Sequence, residues 1–361
     1  MRTERETPVS QTSPFPDSSR DPETVWQPRP VNPFYRGVHF TTTEVCIMAE
    51  GNRKVLLAVD GSDESLAVVR YVSESLQPTD TEVLVYQVMS KVPEVFWDLG
   101  KDPAWLPKIE AVREYEQKQE SIAAEFMNKV ADMFRQAGFR PGSVTTRIGA
   151  QQEGIARDVV AEARRGGYGV LVVGRGKSAS APDLPLGGVA SKILSSAPAP
   201  ATWLVGGKPH ADSILVAMDS SDNAIEAAKH VGRMFNHGRN TITLFHAVRG
   251  ISVSVEGMED IFPDSYRLRL LEDAEKEIRP ALKLAEIWLA KMGVAADRIS
   301  TKIVTGVASR AAAVIDEAKT GGYGTIVAGR RGISEVADFT MGRVTNKLTQ
   351  LAKEQSLCIV G

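Results

Sequence analysis

The chain is written twice. Lys54-Val-Leu-Leu-Ala-Val-Asp60-Gly-Ser-Asp-Glu returns as Ser213-Ile-Leu-Val-Ala-Met-Asp219-Ser-Ser-Asp-Asn. Gly166-Gly-Tyr-Gly-Val-Leu-Val-Val-Gly174-Arg returns as Gly321-Gly-Tyr-Gly-Thr-Ile-Val-Ala-Gly329-Arg, 155 positions later, and Gly187 and Gly342 keep that separation. Solenoid repeats recur every 20 to 50 residues or so, and a period this long marks the duplication of a whole domain. The copies take residues 53–207 and 212–361, joined by the breaker-rich Gly206-Gly207-Lys208-Pro209-His210-Ala211.

Each copy alternates apolar, strand-like runs with amphipathic segments. The expected strands are 55–60, 82–89, 143–148, 170–173 and 202–205 in copy one. In copy two they are 214–219, 241–248, 300–305, 325–328 and 357–360. The first and fourth runs of each copy are continuously apolar, as strands covered on both faces require. Helices are expected over 109–137, stopped by Gly138, and over 266–292, stopped by Gly293. Pro280 should kink or break the second of these. Ser62 and Ser221 stand where an N-cap is wanted, ahead of the acidic Asp63, Glu64 and Asp222. Strand and helix in alternation give a parallel, doubly wound α/β sheet.

Residues 1–52 differ from both copies. They are rich in Pro, Ser and Thr, show no period of 2 or 3.6, and are expected to form a disordered, dispensable tail. Met48 is an alternative start immediately ahead of the first strand. The charge balance, 43 basic against 45 acidic residues, gives no drive toward nucleic acid or an anionic membrane. Two distant cysteines, Cys46 and Cys358, exclude a disulfide framework and fit a reducing cytosol. No apolar run reaches the roughly 20 residues that span a bilayer. The five histidines show no metal-ligand spacing, and neither a Walker A loop nor a Gly-x-Ser-x-Gly elbow is present. The loops at 95–105 and 258–266, after the second strand of each copy, are read as packed connections, with a lid as the sharper alternative.

In an open parallel sheet, ligands bind beyond the carboxyl ends of the strands. Two features of each copy fall there. One is the carboxylate ending the first strand, Asp60 or Asp219, which either holds a ribose or an amine or braces its own loop. The other is the glycine loop after the fourth strand. In copy two it runs from Gly329 through Arg330, Arg331 and Gly332 to Gly342, Arg343 and Thr345. Glycines there let backbone N–H groups reach phosphate oxygens, and the arginines add charge. In copy one the loop runs from Gly174 to Gly187, with Lys177 at the middle glycine position and Pro182 and Pro185 stiffening it.

The spacing Gly-x2-Gly-x9-Gly after an apolar strand, with Val59-Asp60-Gly61-Ser62 at the first strand end and Leu244-Phe-His246-Ala-Val in the second strand, resembles the universal stress protein family. The resemblance implies Rossmann-like domains of flavodoxin-like, adenine nucleotide alpha hydrolase-like architecture. It implies five parallel strands in the order 3-2-1-4-5, and pairing of the copies through their last strands as an internal pseudo-dimer. It implies ATP or another adenine nucleotide as ligand and a non-catalytic stress-response role in the cytoplasm. Asp219, Gly329, Arg331, Gly332, Gly342 and Arg343 would form the main site, with Asp60, Gly174 and Gly187 as the weaker counterpart. A homodimer and a protein partner are further expectations. The departures are Arg343 and Gly188 where Ser or Thr is usual, Ser220 after the first strand, and Lys177. They leave a ligand-free interaction module of the same fold as the alternative. A hydrolase comes last, for want of a nucleophile or a pyrophosphate loop.

Overall fold

The computed structural model describes residues 53–90, 92, 97, 105–176, 186–235, 240–250, 264–333 and 341–361. The expected tail and most of the two loops after the second strands lie outside these residues, as do Lys177, Pro182 and Pro185.

Copy one contains β1 (Lys54–Val59), α1 (Asp63–Ser75), β2 (Glu82–Met89), α2 (Leu106–Gln136) and β3 (Val144–Ala150). It continues with α3 (Ile155–Gly166), β4 (Val170–Gly174), α4 (Gly188–Ser196) and β5 (Ala201–Val205). Copy two repeats this as β6 (Ser213–Ala217), α5 (Asp222–Met234), β7 (Thr241–Arg249), α6 (Asp264–Lys291) and β8 (Ile299–Val307). It ends with α7 (Arg310–Thr320), β9 (Thr325–Gly329), α8 (Arg343–Leu351) and β10 (Ser356–Val360).

The ten strands form one sheet in the order β3-β2-β1-β4-β5-β10-β9-β6-β7-β8. Every pairing within a copy is parallel, whereas β5 and β10 meet antiparallel, with Trp203 opposite Cys358 and Thr202 opposite Ile359. Strand order and fifth-strand pairing are those the family resemblance implied. Trp203 and Cys358 are themselves 155 positions apart. A residue facing its own equivalent lies beside a twofold relation, so a pseudo-dyad passes between these two side chains.

One apolar layer unites α1, α2, α5 and α6 with residues of both copies. The opposite layer does the same for α3, α4, α7 and α8. Side chains cross the junction. Trp203 is fully buried, stacks on Phe235 at 4.9 Å and donates its indole N–H to His230 Nε2 at 2.9 Å. Tyr71 Oη and Thr325 Oγ1 share a buried hydrogen bond of 2.9 Å.

The helix ends follow the sequence. Ser62 Oγ accepts from Ser65 N and Ser221 Oγ from Ala224 N. Gly138 (φ +92°) and Gly293 (φ +89°) turn the chain out of α2 and α6. Phe139 N then returns to Phe134 O, and Val294 N to Leu289 O, closing Schellman turns. Phe139 also packs edge-on against Phe134 at 5.0 Å. Of the two outcomes expected at Pro280, a kink or a break, the break does not occur. Helix α6 runs unbroken through it, because Pro280 faces solvent while Ile278, Ala281, Leu282 and Ala285 hold the helix onto the core on either side.

Candidate functional site

At the carboxyl end of β6 the chain turns into α5 through Asp219. One carboxylate oxygen, Oδ1, accepts from Ser221 N at 3.0 Å and from Ser221 Oγ. The other, Oδ2, faces the loop after β9. A Cβ added at Gly332 would lie 2.6 Å from it, so a side chain there would have to displace that carboxylate. Gly332 is therefore explained by close approach. None of Gly329, Gly332 and Gly342 is among the residues with positive φ.

The rest of the loop is built around the same point. Gly342 N donates to Arg330 O at 2.8 Å, and Asn223 Nδ2 to Arg331 O at 3.3 Å. Thr345 Oγ1 donates to Gly329 O at 2.7 Å. Helix α8 starts at Arg343 after Gly342, with no side chain capping it, unlike α1, α5 and α7, which serines cap. An uncapped helix start beside a turn of backbone amides is suited to an anion. Arg343 is exposed and Arg331 half-buried at this end. Gly329 has a packing reason of its own. A Cβ there would come within 2.8 Å of Asn223 backbone at the start of α5.

Copy one has the same frame with different detail. Asp60 Oδ1 accepts from Ser62 N, Ser62 Oγ and Ser65 Oγ at 3.0, 2.6 and 2.6 Å. Partial burial raises the pKa of this carboxyl, but the hydrogen bonds from Ser62 and Ser65 outweigh it and hold the group below its ordinary value. Gly61 (φ +83°) is pressed against Gln87, a buried carboxamide whose Oε1 has no partner among the described residues. Gly187 N donates to Arg175 O at 2.8 Å, and a Cβ at Gly187 would sit 3.3 Å from Gly176 Cα. Among the described residues of this loop, Gly176 has a positive φ, at +65°. Gly174 is less crowded than Gly329, with Val68 as its nearest neighbour.

One assignment is corrected. Arg330 was expected to face a ligand with Arg331 and Arg343. It is 6% exposed and turns away, its Nη1 donating to Leu194 O of copy one at 3.1 Å. Asn223, Gln87 and Arg175 were not singled out from the sequence. The recurrence of Gly-Arg at 174–175 and 329–330 was the available signal for Arg175. His246 sits in β7 beside the site, Nδ1 donating to Met218 O at 2.7 Å, and burial lowers its pKa. The described residues include no cluster of three His, Cys, Asp or Glu side chains fit for a metal, and no helix long and apolar enough to cross a membrane. A groove of about 300 Å³ lined by Lys54, Glu82, Arg147 and Tyr168 lies at the amino ends of the strands, away from both loops.

Comparison with known proteins agrees with this fold. The model of the universal stress protein family matches residues 51–203 and again 210–359. The chain belongs to the universal stress protein family. Universal stress protein YxiE of Bacillus subtilis is 27% identical over 146 residues, which is 39% of this chain and 93% of that protein. A universal stress protein from Archaeoglobus fulgidus has a crystal structure similar to 86% of this chain and 98% of its own, with a TM-score of 0.55 and 15% identity. A crystal structure from Pseudomonas aeruginosa, described as a putative universal stress protein, covers 86% and 94%, with a TM-score of 0.50 and 13% identity. These likenesses carry the fold. Within it, this tandem member of the family places its two strand-end carboxylates and two glycine loops at the carboxyl ends of the strands.

Proposed function

We propose that copy two binds an adenine nucleotide such as ATP and that the protein is a non-catalytic, cytoplasmic stress-response module that reads this nucleotide for a protein partner. The observation that carries the reading is Gly332 seated against Asp219 beside the uncapped start of α8. Phosphates would lie on the loop amides and the α8 N-terminus, with Arg331 and Arg343 as counter-charges, and Asp219 Oδ2 would take a ribose hydroxyl. No side chain is assigned a bond-breaking role. The ligand-free interaction module stays as a second reading, because Asp60 and Asp219 each already use Oδ1 within their own turns.

Calorimetric titration of ATP, ADP and AMP decides between them. Gly332→Ala pushes a methyl into Asp219 and Asp219→Ala removes the acceptor. Each is expected to weaken ATP binding about tenfold or more, equivalent to about 1.4 kcal/mol. Wild-type binding with both variants unaffected would move the site to copy one, to be tested through Asp60→Ala. No binding of any nucleotide by wild type would leave the interaction module.

A further inference from the structure

Two arginines cross the pseudo-dyad in mirrored fashion. Arg175 Nη1 donates to Thr349 O at 2.8 Å, and Arg330 Nη1 donates to Leu194 O at 3.1 Å. The arginines are 155 positions apart, and so are the two acceptors. Both arginines are more than nine-tenths buried, at 8% and 6% exposure. Among the described residues no carboxylate pairs with either, and burial lowers the Arg175 pKa to about 10. The favourable partner is the helix itself. Leu194 lies in the last turn of α4 and Thr349 in the last turn of α8, the negative ends of those helices.

The same residues anchor the loops. Arg175 N donates to Val205 O and Arg330 N to Val360 O, at 2.9 and 2.6 Å, fixing each to its own fifth strand. Their carbonyls accept from Gly187 N and Gly342 N, the N-cap residues of α4 and α8. Gly206 and Gly361 make room for the stems. A Cβ at Gly206 would lie 2.7 Å from Arg175 Cδ, and one at Gly361 would lie 2.6 Å from Arg330 Cβ. Each arginine thus holds the mouth of its own loop by its backbone and the far end of the other copy's loop helix by its side chain. From Leu194 back to Gly187 is a rigid rod of about 10 Å.

We propose that Arg175 and Arg330 are positioning residues that tie the two glycine loops together, so that an anion captured at one loop orders the other. The tie stands on the geometry alone, whereas its response to a ligand rests on the nucleotide reading above. Linkage makes the effect reciprocal between the two sites.

Hydrogen–deuterium exchange on the full chain tests it. The reporters are Ser191 N, bonded to Gly187 O at 3.0 Å, and Asn346 N, bonded to Gly342 O at 2.9 Å. Without ligand, Arg330→Met is expected to raise exchange at Ser191 about threefold or more, and Arg175→Met to do the same at Asn346. Methionine keeps an apolar stem and removes an unpaired buried charge, a change folds often tolerate. Arg330→Gln serves as a second variant, and Arg330→Lys, which keeps one donor, is expected to restore Ser191. A rise confined to the altered residue's own copy, or no rise, overturns the tie. With ATP, wild type is expected to gain protection at both reporters and the Arg175→Met/Arg330→Met double variant at one. Identical protection in the two proteins overturns the coupling. ATP protecting neither reporter in wild type overturns the nucleotide reading instead, and the ligand-free arm still decides the tie.

Discussion

His230 lies inside the junction between the copies, where it accepts the Trp203 indole N–H. Burial, and secondarily the Arg233 charge, lower its pKa from 6.5 to about 3, so the folded protein keeps it neutral. The unfolded chain takes up a proton below pH 6.5 and the folded chain does not until about pH 3. Stability from this group is therefore complete above pH 6.5 and declines as pH falls from 6.5 toward 3. At pH 4.5 the loss should be about 2 to 3 kcal/mol. Urea denaturation at pH 7 and pH 4.5 checks it. His230→Gln keeps an acceptor for the indole but cannot titrate, and it should remove that share of the acid sensitivity. An identical pH dependence in the variant would mean His230 does not set it. Asp60, depressed by its serine donors, adds loss of the same sign at lower pH.

Among the elements, α6 passes through Pro280 without the break its sequence allowed. Pro280 removes one backbone hydrogen bond from an exposed helix face, and the buried stripe on either side carries the helix through. Pro280→Ala restores the bond and should raise stability by about 1 kcal/mol or more, read as a higher melting temperature. A lower melting temperature would show that the proline is needed. Most other elements were legible because their signals are local. Apolar runs marked β1, β4, β6 and β9. Ser62 and Ser221 marked helix starts, and Gly138 and Gly293 marked stops. The site was legible in part. The spacing of Gly332 and Gly342 marked the loop after β9, but the reason for Gly332, a carboxylate more than 110 residues earlier in the chain, depends on strand order. Arg330 was misread for the same kind of cause. Its acceptor belongs to the other copy, and no local pattern says which way a long side chain will reach across a junction.

At the scale of the molecule, the duplication is not symmetric where it matters most. The position on the pseudo-dyad is Trp203 in copy one and Cys358 in copy two, facing each other across β5 and β10. A large ring opposite a small thiol fills that space. Pairing copy one with copy one would set tryptophan against tryptophan, and pairing copy two with copy two would leave a gap. The next shell is matched in the same way. Trp203 takes His230 and Phe235 from copy two, and Tyr71 takes Thr325. The junction therefore favours unlike copies over like ones. Residues 48–209 and 210–361 produced together as separate chains should form a one-to-one complex, while either alone should be insoluble or self-associated through its open fifth strand. Light scattering and co-purification through a tag on one half measure this. Two independent, well-behaved monomers would count against a shared core. Cys358→Trp in the full chain gives a second measure, since two indoles at the dyad should lower stability by about 1 to 3 kcal/mol. A stable Cys358→Trp protein, together with like-with-like pairing of the halves, would show that the fold rather than these side chains chooses the partner.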